Sequence, residues 1–225
     1  LVFFALFGNT LLTTVMVGVD CKSCGLISCF RGSGINSFWF VSVINVSLGL
    51  NYMQSGEYSI AMDKLKKALR QNPKSASAHN TIAILYQILK EVDEADTHFS
   101  KAVSLDPSFS DAQNNYGVFL CQQGKFKEAE KRFLLAISNP LYSSPAQAYE
   151  NAGLCASNVP NLVKAEYYFS QALQISPQLP TSILESARIN YQLTNYAKAR
   201  SFIKQYQLLE AWTPQTLLLA IQIEK

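Results

Sequence analysis

The residues of this chain that could bind a metal or take part in redox or acid–base chemistry include five cysteines and two histidines. Cys21 and Cys24 have CxxC spacing, but a zinc site needs a second pair of ligands, and only Cys29 lies nearby. A redox CxxC belongs at a strand–helix junction, which this segment does not resemble. His79 and His98 have no partners at metal-ligand spacing, and the sequence has no phosphate-binding loop and no HExxH motif. We therefore expect no metal site, no cofactor and no enzyme activity.

The elements that position any binding residue are defined by a pattern that recurs every 34 residues. Ala61 and Pro73, for example, return as Ala95 and Pro107. Small residues let two helices of a pair approach closely, an aromatic residue fills their seam, and proline ends the second helix. The period and the residue order predict an all-α fold, a right-handed superhelix of tetratricopeptide (TPR) helix–turn–helix repeats.

The repeat divides the chain into an N-terminal segment and a solenoid. We expect residues 1–41 to be an export-signal-like or irregular segment and residues 42–225 to be a TPR solenoid. A single helical hairpin leaves one face apolar, so neighbouring units must stack to bury it, and a terminal helix must cover the end of the stack. The expected units are 42–75, 76–109, 110–143, 146–179 and 180–213, followed by a partial or capping repeat at 214–225.

Turn residues agree with this division. Gly56 and Gly124 lie where two of the hairpins turn, a position at which glycine relieves the strain of a positive φ. Pro73, Pro107 and Pro177 are expected to end second helices, because proline disfavours a helical conformation in the residue before it. Two prolines and extra residues at 139–145 predict a rigid connector between the third and fourth units.

Charge excludes one class of partner and marks the N-terminal segment as different. A net charge of +3 is too small to indicate nucleic-acid binding, and the basic cluster at 64–70 fits a solvated helix face. Residues 1–19 form an uncharged apolar run that suits an export signal or a short membrane span. Leu26-Ile27-Ser28-Cys29 matches the lipid-attachment pattern of bacterial lipoproteins, but Asp20 and Lys22 separate it from that run. Two interpretations follow: a lipid anchor at Cys29, or a degenerate leader without function.

In a TPR solenoid the first helices of successive units form the concave wall. The period places amide groups, charged groups and aliphatic patches on that wall, a mixture that suits an extended peptide or a partner helix. The predicted partner-binding groove consists of Asn80, Ile84, Gln87, Asp111, Asn114, Val118, Gln122, Glu150, Leu154, Arg188 and Tyr191.

Cys121 and Cys155 fall in the first helices of adjacent units. Such helices pack side by side with about 8–10 Å between their axes, which brings Cα atoms within the range of a disulfide. A bond is one interpretation, and it fits an exported protein. The alternative is a pair of buried free thiols that pack as small apolar residues.

Several strings outside the repeat skeleton resemble one family. They are Asn51–Tyr58 (NYMQSGEY), Asn115–Cys121 (NYGVFLC), Asn139–Tyr142 (NPLY) and Glu150–Cys155 (ENAGLC). Together they make residues 45–225 similar to the type IV pilus biogenesis lipoproteins of the PilW/PilF pilotin kind.

The resemblance implies a six-unit lipoprotein on the periplasmic face of the bacterial outer membrane, one that helps the pilus secretin to localise and assemble. We expect the protein to be a monomer. It also implies a disulfide, because Cys121 and Cys155 match the two family cysteines. The family's leader carries its lipid-bearing cysteine directly after an apolar core, and residues 1–40 depart from that pattern. The other interpretation is a general TPR peptide-binding adaptor in another envelope assembly, which would use the same wall.

Overall fold

The computed structural model describes residues 37–224, and this part of the chain contains only helices, turns and loops. The all-α fold of paired helices is therefore confirmed. The helices are α1 (Ser37–Gln54), α2 (Tyr58–Gln71), α3 (Ala76–Ile88), α4 (Val92–Leu105), α5 (Ser110–Gln122), α6 (Phe126–Ile137), α7 (Pro145–Ala156), α8 (Leu162–Ile175), α9 (Pro180–Gln192), α10 (Tyr196–Gln207) and α11 (Pro214–Glu224).

The helix ends lie close to the positions that the prolines predict. Helices α2, α4 and α8 each end two residues before Pro73, Pro107 and Pro177. The connector between α6 and α7 spans residues 138–144, and Pro145 begins α7, where its fixed φ suits the first helical turn. Helix α1 begins at Ser37, within the range 1–41 that the sequence assigns to an export-signal-like or irregular segment.

Each hairpin is held together by one seam between its two helices. At Gly117 an added Cβ would lie 2.7 Å from Cε1 of Phe133, so the ring occupies the space that a side chain would need. Gly153 stands in the same relation to Phe169. The same pair of positions recurs in each described unit: a small residue on the first helix, and sixteen positions later the larger residue on the second helix that fills the seam. The pairs are Gly49–Leu65, Ala83–Phe99, Gly117–Phe133, Gly153–Phe169 and Ala187–Ile203.

Within residues 37–224, four of the five hairpin turns share one backbone conformation. The seventh residue after the small seam residue has a positive φ in each: Gly56 (77°), Lys90 (63°), Gly124 (74°) and Thr194 (62°). The positive φ predicted for the two glycines is confirmed. In the fourth unit this position is occupied by Pro160, whose ring holds φ near −65°. The fourth unit must therefore turn in another way.

The C-terminal end of the solenoid is covered by α11. Leu219 and Ile223 of this helix are buried against Ala187 of α9 and Ile203 of α10. The ring of Trp212 packs on the same cluster. Among residues 37–224, no helix has both the length and the apolar character that crossing a membrane requires.

Candidate functional site

The predicted groove residues lie on α3, α5, α7 and α9, the first helices of successive units, which pack side by side. We call the accessible side chains of this set the first-helix wall. Asp111, Gln122, Leu154 and Arg188 are exposed. The half-buried members are Ile84, Gln87, Val118 and Tyr191. The wall therefore offers amide, charged and apolar groups along four consecutive helices.

Three predicted groove residues are not accessible, and the expectation that they are exposed was wrong. Asn80, Asn114 and Glu150 are all less than 9% exposed. Asn115 donates a hydrogen bond to Oδ1 of Asn80 over 3.3 Å, and Asn151 donates one to Oδ1 of Asn114 over 3.0 Å. These amides join α3 to α5 and α5 to α7, so they bind neighbouring units together instead of facing a partner.

Glu150 continues this role between the fourth and fifth units. Its Oε2 accepts hydrogen bonds from the backbone N–H of Ser182, at 3.1 Å, and from the Ser182 hydroxyl, at 2.6 Å. Oε1 accepts a third bond from Gln147 over 3.0 Å. Ser182 lies in the first turn of α9, where a carboxylate also interacts favourably with the helix dipole. Glu150 can be buried because both of its carboxylate oxygens accept hydrogen bonds.

The exposed part of the wall is also organised between units. Nε2 of Gln87 donates to Oε1 of Gln122 over 2.7 Å, which links α3 with α5 at the surface. Leu154 on α7 keeps 38% of its surface exposed, although it belongs to a tightly packed array. Nε of Arg188 lies 3.5 Å from a carboxylate oxygen of Glu185, one turn earlier on α9. An apolar contact point is therefore followed by a charged one along the wall.

The structure joins Cys121 of α5 to Cys155 of α7 by a disulfide, with their Cα atoms 5.8 Å apart. Cys155 is buried and Cys121 is half-buried. A bond at this place ties the third unit to the fourth, next to the hydrogen bond between Asn151 and Asn114. Both contacts fix the spacing of two helices that contribute to the first-helix wall.

The two histidines, which showed no ligand pattern in the sequence, form a pair with each other. Their Nδ1 atoms are 2.9 Å apart, and Nε2 of His79 lies 3.2 Å from the Pro73 carbonyl oxygen. Since a carbonyl only accepts, His79 carries its proton on Nε2, and Nδ1 of His98 donates to Nδ1 of His79. Burial and the neighbouring His79 lower the pKa of His98 to about 4, with Lys101 acting in the same direction and Glu94 against it. Burial also lowers the pKa of His79.

The histidine pair makes stability dependent on pH. The unfolded chain takes up protons near pH 6.5 and the folded chain takes them up only at lower pH, so stability is lost as the pH falls from about 6.5 to 4. His79 is buried and His98 is half-buried, and we expect the pair to contribute about 1–2 kcal/mol to that loss, after allowance for solvent screening. Urea unfolding at several pH values would measure it. His98→Gln, whose amide also donates but does not titrate, should flatten the dependence in this window; equal slopes would contradict the assignment.

Two of the sequence interpretations cannot be placed in the fold. Cys29, the candidate lipid-attachment residue, lies outside the described residues, and so do Cys21 and Cys24. Within residues 37–224, no group of three or more His, Cys, Asp or Glu side chains is arranged to hold a metal ion.

One feature was missed by the sequence analysis. A cavity of about 250 Å³ opens between α6, the end of α7, the turn at 157–161 and the start of α8. Its lining is largely apolar and includes Phe126, Ala156 and Val159. The signal for it was the position of Pro160, because proline cannot adopt the positive φ that the other turns use.

Comparison with known proteins places the chain among tetratricopeptide repeat proteins. The tetratricopeptide repeat models match residues 46–108 and 98–131. The type IV pilus assembly protein PilF of Pseudomonas aeruginosa is 33% identical over 180 residues, which are 80% of this chain and 71% of that protein.

Two solved structures are also similar. That of Pseudomonas aeruginosa PilF has a TM-score of 0.79 at 31% identity and covers 83% of this chain and 84% of its own. That of PilW, described as a widely conserved type IV pilus biogenesis factor, has a TM-score of 0.75 at 32% identity and covers 81% and 84%.

Proposed function

Since this chain belongs to the tetratricopeptide-repeat family of type IV pilus biogenesis proteins, we propose that it is a non-enzymatic scaffold that binds the pilus secretin subunit. In this role it acts as a pilotin, helping the secretin to localise and assemble in the outer membrane. The partner's contact surface is the first-helix wall. The solenoid presents this wall over four units without any further domain between them.

This proposal rests on the different roles of the buried and the exposed side chains of the first helices. Asn80, Asn114 and Glu150 hold successive first helices in register, while Gln122 and Leu154 on the same helices stay accessible. A wall that is fixed before its partner arrives loses less conformational entropy on binding. The mixture of apolar and polar groups suits a peptide or helix that lies along it.

We also propose a location and a covalent state. The protein acts as a monomer on the periplasmic face of the outer membrane, attached through lipid on Cys29, and it carries the disulfide between Cys121 and Cys155. An oxidising compartment supports that bond, since disulfides persist outside the reducing cytosol. Intact-mass analysis of protein from the membrane fraction would report the lipid and the disulfide together. A mass that shows no lipid would contradict the anchor, and a mass with both thiols reduced would contradict the bond.

Leu154→Arg is expected to weaken capture of the purified secretin subunit at least tenfold. The change places a charge at an apolar contact point in the wall, and the loss of a central anchoring contact costs about 2 kcal/mol or more, which exceeds the tenfold equivalent of about 1.4 kcal/mol. Leu135→Arg is the matched control, because Leu135 is comparably exposed at 47% but lies on α6, a second helix. Surface plasmon resonance with immobilised secretin subunit would measure both variants.

Circular dichroism should show that both variants keep the wild-type helix content. If Leu154→Arg binds the secretin as tightly as Leu135→Arg does, the first-helix wall is not the secretin site. If neither the wild type nor the variants bind, the secretin is the wrong partner. The general TPR adaptor in another envelope assembly would then be the better account of the same wall.

A further inference from the structure

The cavity beside the fourth turn has a local cause in the sequence. Relative to the small residue of its seam, Pro160 stands where Gly124 stands in the third unit. Gly124 has a φ of 74°, a conformation that the proline ring forbids. Helix α7 consequently ends at Ala156, and the turn occupies residues 157–161, whereas the other four turns span three residues each. The cavity lies where this longer turn departs from the standard path.

The floor of the cavity is apolar and belongs to the core of the solenoid. Ala152 and Cys155 of α7 line it, together with Phe126 of α6 and Val159 of the turn. Its volume of about 250 Å³ is below the range of about 300–1,000 Å³ that is usual for pockets that hold whole small molecules. It is suited to a single large side chain, the kind of anchor that fills a pocket at a protein interface.

The rim of the cavity carries an excess of positive charge. Glu130 of α6 accepts hydrogen bonds from Nζ of Lys164, at 2.7 Å, and from the Tyr168 hydroxyl. Burial acts to raise the pKa of Glu130, but these two donors outweigh it and leave the pKa below its usual value. The carboxylate is therefore ionised and already satisfied by α8. Lys127, also on the rim, forms no ion pair with any residue between 37 and 224.

Exposed apolar side chains continue from the rim along α8. Val163 is 68% exposed and Tyr167 is 53% exposed, and they precede Lys164 and Tyr168 in the sequence. Residues four positions apart share a helix face, so this pair forms a short apolar ridge beside the rim. An extended segment anchored in the cavity would have further apolar surface to cover.

We propose that this cavity is a second binding site, which anchors one large apolar side chain of a protein partner, preferably an aromatic one, with an acidic group next to it. The apolar floor selects the side chain, and Lys127 selects the acidic group. The site is formed by α6, the end of α7, the turn at 157–161 and the start of α8, and none of its lining residues belongs to the first-helix wall. This inference rests on the proposed role of the chain as a protein-binding scaffold.

N-acetyl-phenylalanine is a direct probe, since it joins one aromatic ring to one carboxylate. In ¹⁵N–¹H correlation spectra of the protein we expect saturable shifts at the amides of residues 126–130 and 156–161, with a Kd on the order of 1 mM for a ligand of this size. N-acetyl-phenylalaninamide, which lacks the charge, should bind about two- to fivefold more weakly. Shifts confined to the first-helix wall, or no saturable shifts, would overturn the proposal.

Three variants separate the cavity from its surroundings. Pro160→Gly allows the standard turn, and Ala156→Leu fills the space; each should abolish the saturable shifts at 156–161 while circular dichroism remains unchanged. Lys127→Glu should weaken N-acetyl-phenylalanine about two- to fivefold or more, whereas Lys131→Glu, an exposed change of the same charge on the same helix, should not. Wild-type affinity in both Pro160→Gly and Ala156→Leu would overturn the proposal.

This test and the test of the proposed function fail independently. The probe needs no secretin, so the absence of probe binding overturns the cavity site and leaves the first-helix wall as the secretin surface. Conversely, if Leu154→Arg leaves secretin binding intact, the first-helix wall proposal fails. Probe binding that is lost in Pro160→Gly would still support the cavity.

Discussion

Replacing Phe133 by alanine is expected to lower the free energy of unfolding by about 3–5 kcal/mol, the usual cost of truncating a fully buried phenylalanine. The Phe133 side chain has no exposed surface and lies in the largest apolar cluster of the solenoid. Its ring fills the space beside Gly117, which has no side chain to fill the cavity left behind. The partners on α5 and α6 cannot close this gap without moving a helix.

The position of Phe133 enlarges the effect. It belongs to the third of the five hairpins in the described part of the chain, and in a solenoid each unit is stabilised mainly by its neighbours. Weakening a central unit uncouples the units before it from the units after it. We therefore also expect a broader transition in urea unfolding followed by circular dichroism. Tyr167→Ala is the control, because Tyr167 is 53% exposed and its loss should cost less than about 1 kcal/mol. Similar losses for both variants would show that the seam does not hold the unit together.

Removing the disulfide with Cys121→Ala and Cys155→Ala together is expected to cost about 3 kcal/mol. The cysteines are 34 residues apart, and a cross-link of that span restricts the unfolded chain by about 3–4 kcal/mol in the chain-entropy model. Because the bond links α5 to α7, its loss also weakens the boundary between the third and fourth units. Thermal and urea unfolding of the oxidised wild type and of the double variant would measure the difference.

Dithiothreitol provides the matched control for the disulfide. It should lower the urea midpoint of the wild type to near that of the double variant and leave the variant unchanged. A wild-type midpoint that is the same with and without reductant would mean that the bond does not stabilise the fold. Thiol titration of the unfolded, unreduced protein then distinguishes a bond without effect from a bond that is absent.

Most of the fold could be predicted because the determinants of a TPR hairpin are local. The pairs Gly117–Phe133 and Ala83–Phe99 are separated by one fixed spacing, and proline ends a helix through its own ring. Helix ends, the positive φ at Gly56 and Gly124, and the family resemblance all depend on residues near one another in the sequence. These features can therefore be predicted from the sequence without knowing how neighbouring units are oriented.

The candidate site was predicted less well, since accessibility depends on contacts between units. The periodicity placed Asn80, Asn114 and Glu150 on the first helices and, from that, on an exposed wall. Their partners Asn115, Asn151 and Ser182 lie more than 30 residues away, and the exact register of neighbouring helices decides whether these groups meet. A 34-residue period gives the helix on which a residue lies, but it does not give the rotation of that helix against the next.

The sequence by itself determined the helical hairpins, their order and their seams, because each rests on steric rules that act within one unit. Only the tertiary structure decided which amides join the units and which face solvent, that His79 meets His98, and that Pro160 leaves a cavity beside α8. The physical reason is the range of the forces: backbone and packing preferences act between chain neighbours, whereas burial and hydrogen-bond partners are properties of the assembled stack.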